Sequence, residues 1–259
     1  MKTTIFILIA LAFITILITG FWGIVSDTIF PSSTWGLYDK EFFEDLLVGI
    51  HGGIIDLLIV GVVLYWFDIR RTKNDSIEEA ENDLANLEYY SGSDASFKFY
   101  GYVRYLAALG VNKVKMSNGK LSDLNIKSLE LADSNLIGVD FSRSTLKDVT
   151  LKNCQLQAAQ FIDTKIRKCI FQNSNLERAK FIKAELKSIN FEGCNIKGAT
   201  FKDCELQSAI FKGVDCKGVS FKGCNLRSAN FLTATNITRE MILESSNYKS
   251  VKLPEGIVI

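Results

Sequence analysis

The stretch FKDCELQSAIFKGVDCKGVSFKGCNLRSANF, residues 201–231, decides the fold of this chain. Phenylalanine returns in it every ten residues, and another apolar residue lies midway between each pair. The spacing matches neither the roughly 3.6-residue period of a helix face nor the two-residue alternation of a single strand. A longer fixed period of this kind indicates an internal repeat, in which one small structural unit is used many times.

The repeat is a five-residue unit that runs without insertion over residues 121–235. Leu, Ile or Phe occupies its central position from Leu121 to Phe231, and Cys216 is the single exception. The position two residues earlier is mostly Ala, Cys, Ser or Val, and the other three positions are mainly polar or Gly. Because side chains two residues apart share one face of a β-strand, we predict that both series point inward.

The fives SNLER at 174–178, CNIKG at 194–198 and CNLRS at 224–228 resemble the A-(D/N)-L-x-x pattern of the pentapeptide-repeat family. The resemblance implies a β solenoid, namely a right-handed, four-sided parallel β-helix with one five on each side and therefore twenty residues in each coil. Some family members resemble DNA through acidic surfaces. This repeat carries 17 basic and 12 acidic residues, so we do not transfer that function.

Two apolar runs precede the repeat and predict a two-helix transmembrane hairpin within residues 1–73. Residues 5–25 contain no charged side chain, and residues 46–67 contain a single carboxylate. Each run reaches the ~20 residues that a helix needs to span the hydrocarbon core. A cleaved signal peptide is the alternative for the first run, but no small-residue cleavage site follows it.

Charges around the hairpin predict its orientation. Lys2 precedes the first run and a basic cluster at 70–73 follows the second, whereas the connection 26–45 holds five acidic residues and one basic residue. The positive-inside rule therefore predicts a multi-pass protein of the inner cell membrane with both termini and the repeat in the cytoplasm. Three tryptophans suit the interfacial belts of the membrane: Trp22, Trp35 and Trp66.

The second run carries two polar side chains, His51 and Asp56. An acidic side chain in the middle of a span costs ~2.5–3.5 kcal/mol on insertion scales, so Asp56 needs a partner. Antiparallel pairing of the two runs places Thr15 at about the depth of Asp56 and Thr19 near His51. One interpretation is therefore a polar contact that holds the hairpin together.

An oligomer is the other arrangement that would give these polar residues a partner. Gly49 and Gly53 would let a second helix approach closely, so the polar contact could form between copies of the chain. The functional alternative is that Asp56 binds a proton or an ion. It also requires an oligomer, because two helices alone cannot enclose a pathway.

Short helical segments flank the repeat. Residues 74–120 have apolar positions at helical spacing on both sides of a Ser-Gly-Ser break, which predicts two short connector helices and an N-terminal cap. The second helix would stop at Gly110 and pack four aromatic side chains on the first repeat: Phe97, Phe99, Tyr100 and Tyr102. Residues 236–259 form the C-terminal cap, with Thr238 starting a short helix and the tail folded over the last coil.

One side of the predicted coil is basic. It holds seven basic and three acidic residues, and one basic residue in each of five coils forms a line along it: Lys127, Lys147, Arg167, Lys187 and Arg227. A solvated face that aids solubility is the plain interpretation. The alternative is an interaction face for anionic lipid or an acidic protein, with nucleic acid as the least favoured ligand.

The repeat contains few of the residue combinations that carry out catalysis. The repeat contains no His, no Ser/His/Asp set and no phosphate-binding glycine loop, and its six Cys fall on inward positions. We therefore predict no enzyme activity and no catalytic, cofactor-binding or metal-binding residues. The favoured function is a membrane-anchored scaffold that presents the repeat to a protein partner or an anionic surface. The alternative is an oligomeric membrane effector or pore whose hairpin is regulated by the repeat.

Overall fold

The computed structural model describes residues 2–29 and 38–259 of the 259-residue chain. The chain divides into two compact units, Met1–Asp75 and Ser76–Ile259. The first unit is helical, and the second contains the repeat with a helical segment before it.

The first unit contains α1 (Lys2–Gly20), α2 (Trp22–Ile29) and most of α3 (Lys40–Asn86). The helix over the predicted span 5–25 is not straight, because the segments Ile9–Gly20 and Trp22–Thr28 meet at a bend of 74°. Glycine is a poor helix former, and both Gly20 and Gly23 lie beside the break. Among the described helices, one is long and apolar enough to cross a membrane, and a second qualifies only if the bent pair counts as one span.

The helical segment before the repeat differs from the sequence expectation in two respects. Of the four aromatic side chains expected to pack on the repeat, Phe99, Tyr100 and Tyr102 contact the core, but Phe97 is exposed. The second difference is the extent of α3. α3 continues without interruption to Asn86 and passes into a 3₁₀ turn at Leu87–Tyr89, so the first connector helix is the end of α3. Residues 68–90 contain no Gly or Pro to stop it. α4 (Ala95–Ala108) follows as a separate helix, and Gly110 takes the left-handed backbone that ends it, with φ of 84°.

The second unit is a parallel β-solenoid with short strands in three sheets. The sheets are ordered β1-β3-β6, β2-β4 and β5-β7-β8, and every pairing joins residues twenty apart in sequence. Isolated parallel bridges continue the same spacing from Lys115↔Asn135 to Asp215↔Thr235, so the ladder begins before residue 121. The strands are β1 (Asn125–Lys127), β2 (Glu130–Ala132), β3 (Thr145–Lys147), β4 (Thr150–Lys152), β5 (Gln160–Ile162), β6 (Lys165–Arg167), β7 (Lys180–Ile182) and β8 (Thr200–Lys202).

Phenylalanine forms two ladders in the core, as the ten-residue spacing predicted. Rings twenty residues apart stack nearly parallel, with centroids 4.6–5.4 Å apart from Phe141 to Phe221 and 4.8–6.2 Å apart from Phe171 to Phe231. Rings ten residues apart meet edge to face at 5.3–6.0 Å. Both geometries are favourable for aromatic pairs, so the ladders add specific contacts to apolar burial.

Each corner of the coil is a left-handed residue. The position two residues after every central side chain has φ between 51° and 77°, from Asp123 to Thr233. Glycine takes this conformation without steric cost, and Gly193, Gly198 and Gly223 do so here. Most corners nevertheless carry other residues, so the fold holds many side chains in a backbone region that they disfavour.

The segment after the last repeat covers the final coil. Thr238 is the N-cap of α5 (Arg239–Leu243) and accepts a hydrogen bond from the Met241 N–H at 3.3 Å. The tail then continues the ladder, because Leu226 N donates to Asn247 O at 2.6 Å and Phe231 N donates to Lys252 O at 2.7 Å. The tail thereby satisfies backbone groups at the end of the solenoid.

Candidate functional site

The solenoid aligns the five predicted basic residues on one side, which is called the basic face below. Lys127, Lys147 and Arg167 are direct partners in the parallel register of β1, β3 and β6. The residues before them, Ile126, Leu146 and Ile166, are buried, so the basic side chains point outward and are exposed. Exposed Lys187 and Arg227 extend the same side at twenty-residue steps.

Acidic neighbours neutralise only part of this face. Glu185 contacts both Lys165 and Arg167, each with an N–O distance of 3.5 Å. Lys127 and Lys147 make no ion pair within the part of the chain that the structure describes. Adjacent coils lie ~4.8 Å apart, so these two lysines repel each other by roughly 0.9 kcal/mol in water. On the basic face, Arg167 therefore has an acidic partner, whereas Lys127, Lys147, Lys187 and Arg227 have none among the described residues.

A cleft opens where α4 packs beside the first coil. Its volume is about 410 Å³, and it is lined by seven residues: Tyr100, Arg104, Ala107, Asn125, Lys127, Ser128 and Leu129. The guanidinium carbon of Arg104 lies 5.8 Å from the centroid of the Tyr100 ring. Sequence reasoning missed Arg104, because its position depends on how α4 packs and no periodic pattern marks it.

Two sequence-family models match the solenoid. One, described as a pentapeptide repeat region, matches residues 110–181, and the other, described as pentapeptide repeats (8 copies), matches residues 199–231. This region belongs to the pentapeptide-repeat family. No curated protein sequence matches the chain.

Solved structures similar to this chain include further pentapeptide-repeat proteins. Rfr23 from the cyanobacterium Cyanothece 51142 is 15% identical over 61% of this chain and 98% of its own, with a TM-score of 0.31. HetL from the cyanobacterium Nostoc sp. strain PCC 7120 is 12% identical over 61% and 98%, with a TM-score of 0.20. Full-length QnrB1, a plasmid-mediated fluoroquinolone resistance protein, is 16% identical over 55% and 84%, with a TM-score of 0.27.

Other polar contacts on the pentapeptide-repeat domain pair its own residues with one another. Arg143 donates two hydrogen bonds to Asp123, at 2.7 and 2.6 Å, and these bonds hold the pKa of Asp123 below its ordinary value. Lys197 lies 3.2 Å from Asp215, whose pKa is lowered first by a hydrogen bond from Asn236. Because these pairs are exposed, they contribute little to stability. Arg143 and Lys197 each have an acidic partner, unlike Lys127.

The six cysteines lie along the core of the pentapeptide-repeat domain as free thiols. Five are buried, and Cys169 is half-buried. Burial raises the pKa of Cys194 to about 11 and that of Cys216 to about 12. Cys204 N–H donates to Cys224 Sγ at 3.4 Å, which is a core contact between neighbouring coils. No group of three or more metal-ligating side chains converges among the residues that were described.

The predicted proximity of Thr19 and His51 is present in the helical unit. Thr19 Oγ1 lies 3.3 Å from His51 Nε2, and His51 Nδ1 lies 2.8 Å from Leu47 O. A carbonyl oxygen only accepts, so Nδ1 carries a hydrogen in this arrangement. The nearby Trp22 indole N–H donates to Glu44 at 2.8 Å. Trp66 contacts the Arg70 guanidinium at 5.2 Å, and Trp35 lies outside the described residues.

The expected contact between Asp56 and Thr15 is not formed. The Thr15 hydroxyl donates to Leu11 O at 2.9 Å within α1, because a carbonyl one turn earlier is always within its reach. The Asp56 side chain is exposed, and it has no hydrogen-bond or ion-pair partner over residues 2–29 and 38–259. A Cβ built at Gly49 or Gly53 would meet no described atom within 4 Å, so this part of α3 is open.

Proposed function

We propose that this chain is a membrane-anchored, non-enzymatic scaffold whose pentapeptide-repeat domain binds anionic lipid headgroups through the basic face. The observation that carries the proposal is the in-register column of Lys127, Lys147 and Arg167, in which both lysines lack an acidic partner among the described residues. Each basic residue held near an anionic membrane contributes about 1 kcal/mol, within a screening length of roughly 10 Å. Several such residues in one line suit a flat, negatively charged surface.

Lipid is favoured over an acidic protein or nucleic acid because of the apolar helix in the same chain. Residues 46–67 of α3 expose large apolar side chains that water would not solvate well, including Val48, Val62 and Leu64. A membrane would cover them, and it would also bring anionic headgroups within reach of the tethered domain. We propose two spans with both termini in the cytoplasm, because the basic residues flank the hairpin.

The topology has a direct test. Protease added outside sealed spheroplasts should leave residues 121–235 intact, and the chain should stay with the membrane after carbonate extraction. In the control, detergent opens the spheroplasts and gives the protease access to the whole chain. Cleavage within the repeat before detergent is added would contradict the two-span topology.

The basic face is tested with the full chain held in phosphatidylcholine nanodiscs on a sensor surface. Vesicles of phosphatidylglycerol and phosphatidylcholine should bind at low salt, and binding should fall as salt rises. The variant removes four charges from the basic face: Lys127→Ser, Lys147→Ser, Arg167→Ser and Lys187→Ser. The matched control removes four exposed charges from other sides: Lys202→Ser, Lys212→Ser, Lys217→Ser and Lys222→Ser.

We expect the first variant to lose vesicle binding and the control to keep most of it. Equal loss in both variants would mean that only the net charge matters. Failure of the wild-type chain to bind vesicles would remove lipid as the ligand. Binding of duplex DNA or an acidic protein in the same assay would then assign the basic face to that ligand.

An oligomeric membrane effector is the second candidate, and Asp56 is the observation that favours it. A carboxylate without a partner costs ~2.5–3.5 kcal/mol at the centre of a span, and a second copy could supply a partner beside Gly49 and Gly53. Crosslinking in membranes should then give a defined oligomer, which Asp56→Leu weakens and Asp56→Asn retains. Ion leakage that depends on Asp56 would support a pore, and a monomer in membranes would contradict the effector.

A further inference from the structure

We infer that the cleft between α4 and the first coil is a phosphate-monoester site at the end of the basic face. Its two cations come from different elements, Arg104 from α4 and Lys127 from β1. Neither makes an ion pair with any residue that the structure describes. The inference rests on the proposed function, because it assigns the headgroup chemistry that one part of the basic face would recognise.

The shape and lining of the cleft suit a small phosphorylated group. Its volume of about 410 Å³ lies within the ~300–1,000 Å³ of ordinary small-ligand sites, and none of its seven lining residues is acidic. Asn125 and Ser128 add side-chain donors on the β1 wall, and Tyr100 adds a hydroxyl on the α4 wall. Ala107 and Leu129 supply an apolar patch.

Two cations in one cleft favour a doubly charged anion, such as a phosphate monoester, over a single carboxylate. A guanidinium donates two parallel hydrogen bonds to a phosphate, and an ammonium neutralises a further charge as a point donor. A monoester carries up to two negative charges at neutral pH, which matches the two unpaired cations. Lys147 follows Lys127 in register on the next coil and strengthens the positive potential at the mouth of the cleft.

Binding is tested with the full chain in neutral detergent and inorganic phosphate as the probe, by calorimetry at low ionic strength. Arg104→Gln removes the guanidinium from an exposed helix position, so the fold should persist. A charged hydrogen bond is worth about 1.5–3 kcal/mol, so the affinity for phosphate should fall about tenfold or more. Arg227→Gln is the matched control, because it removes an exposed arginine from the same basic face but outside the cleft.

Two further probes separate the sources of the phosphate. Glycerol 3-phosphate represents a free phosphorylated metabolite, and short-chain phosphatidic acid represents a lipid headgroup with its apolar chains. Tighter binding of phosphatidic acid, with the same dependence on Arg104, would identify the lipid, because Ala107 and Leu129 would contact its glycerol end. Equal binding of both would identify the free phosphate ester.

Two outcomes overturn the site. One is the absence of binding by all three probes, and the other is equal loss in the Arg104→Gln and Arg227→Gln variants. The vesicle assay with Lys147→Ser and Lys187→Ser, both outside the cleft, tests the basic face separately. Vesicle binding that is lost in that double variant, together with no binding of the three phosphate probes by the wild-type chain, would leave the basic face standing and reject the cleft. Phosphate binding without vesicle binding would support the cleft and reject the basic face as a lipid-binding surface.

Discussion

At the scale of single residues, the corner residues of the coil have the least favourable backbone conformation, with positive φ. Left-handed backbone costs a residue with a Cβ roughly 1–2 kcal/mol relative to the right-handed region, and β-branched residues suffer most. Thr233 is such a residue, with φ of 61°. It is tolerated because its neighbours Phe231 and Ala234 are anchored in the core, which fixes the path of the chain between them.

Thr233→Gly should therefore stabilise the domain by about 0.5–1 kcal/mol, because glycine adopts positive φ without strain. Thr235→Gly is the matched control, since Thr235 is also an exposed threonine but lies on the next side of the coil, in the Asp215 bridge and not at a corner. The control should be destabilising, because glycine loses more chain entropy on folding. Chemical unfolding of both variants gives the comparison, and a destabilised Thr233→Gly would contradict the account of the corners.

The cysteines offer a second prediction at this scale. Burial raises the pKa of Cys194 from 9.0 to about 11, so its thiolate fraction near pH 8 is reduced about a hundredfold. Cys169 is only half-buried, and it should be alkylated first by iodoacetamide in the native chain. Mass spectrometry of each cysteine peptide over time provides the rates. Rapid modification of Cys194 before unfolding would show that the core opens more readily than its packing implies.

At the scale of elements, each Phe ladder acts as one continuous column, because every ring except the first and the last of each ladder has stacked neighbours in the coils above and below. Phe181 and Phe201 lie 4.7 Å apart and are fully buried. Removing a ring from this column leaves a cavity that the rigid backbone ladder cannot close. The outward residues at the same level touch mainly solvent.

Phe181→Ala or Phe201→Ala should each lower the free energy of unfolding by about 3–5 kcal/mol. Lys202→Ala and Lys222→Ala, which are exposed on the same side, should change it by less than about 0.5 kcal/mol. Thermal or urea unfolding distinguishes the two pairs. Similar losses in both pairs would mean that the inward register has been assigned to the wrong residues.

The hairpin has its own test at the scale of elements. Thr19→Val and His51→Leu should show a coupling free energy of about 0.6 kcal/mol in a double-mutant cycle in micelles, because the two side chains meet across α1 and α3. Thr28→Val replaces Thr19→Val in the control cycle, since the Thr28 hydroxyl bonds only Ile24 O of its own helix. Equal coupling in both cycles would reject the interhelical contact.

At the scale of the whole molecule, the parts that sequence could predict are those under periodic constraint. The twenty-residue coil, both Phe ladders and the column Lys127–Lys147–Arg167 follow from one register, because a side chain's number fixes its side of the coil. The length of α3, the bend near Gly20 and the cleft at Arg104 obey no such register. These features depend on where helices end and how they pack. Individual residues determine both, and no periodic sequence pattern indicates them.

The twenty-residue register also constrains how this domain can change its length. Loss or duplication of twenty residues would shorten or lengthen the stack while keeping Phe above Phe and Lys above Lys. An insertion of five would rotate everything after it by a quarter turn, so that ring columns would meet Leu and Ile columns and Arg227 would leave its side. Insertions and deletions within the stack keep the columns aligned only when they comprise whole coils, and the spacing of groups along a face stays fixed in steps of ~4.8 Å.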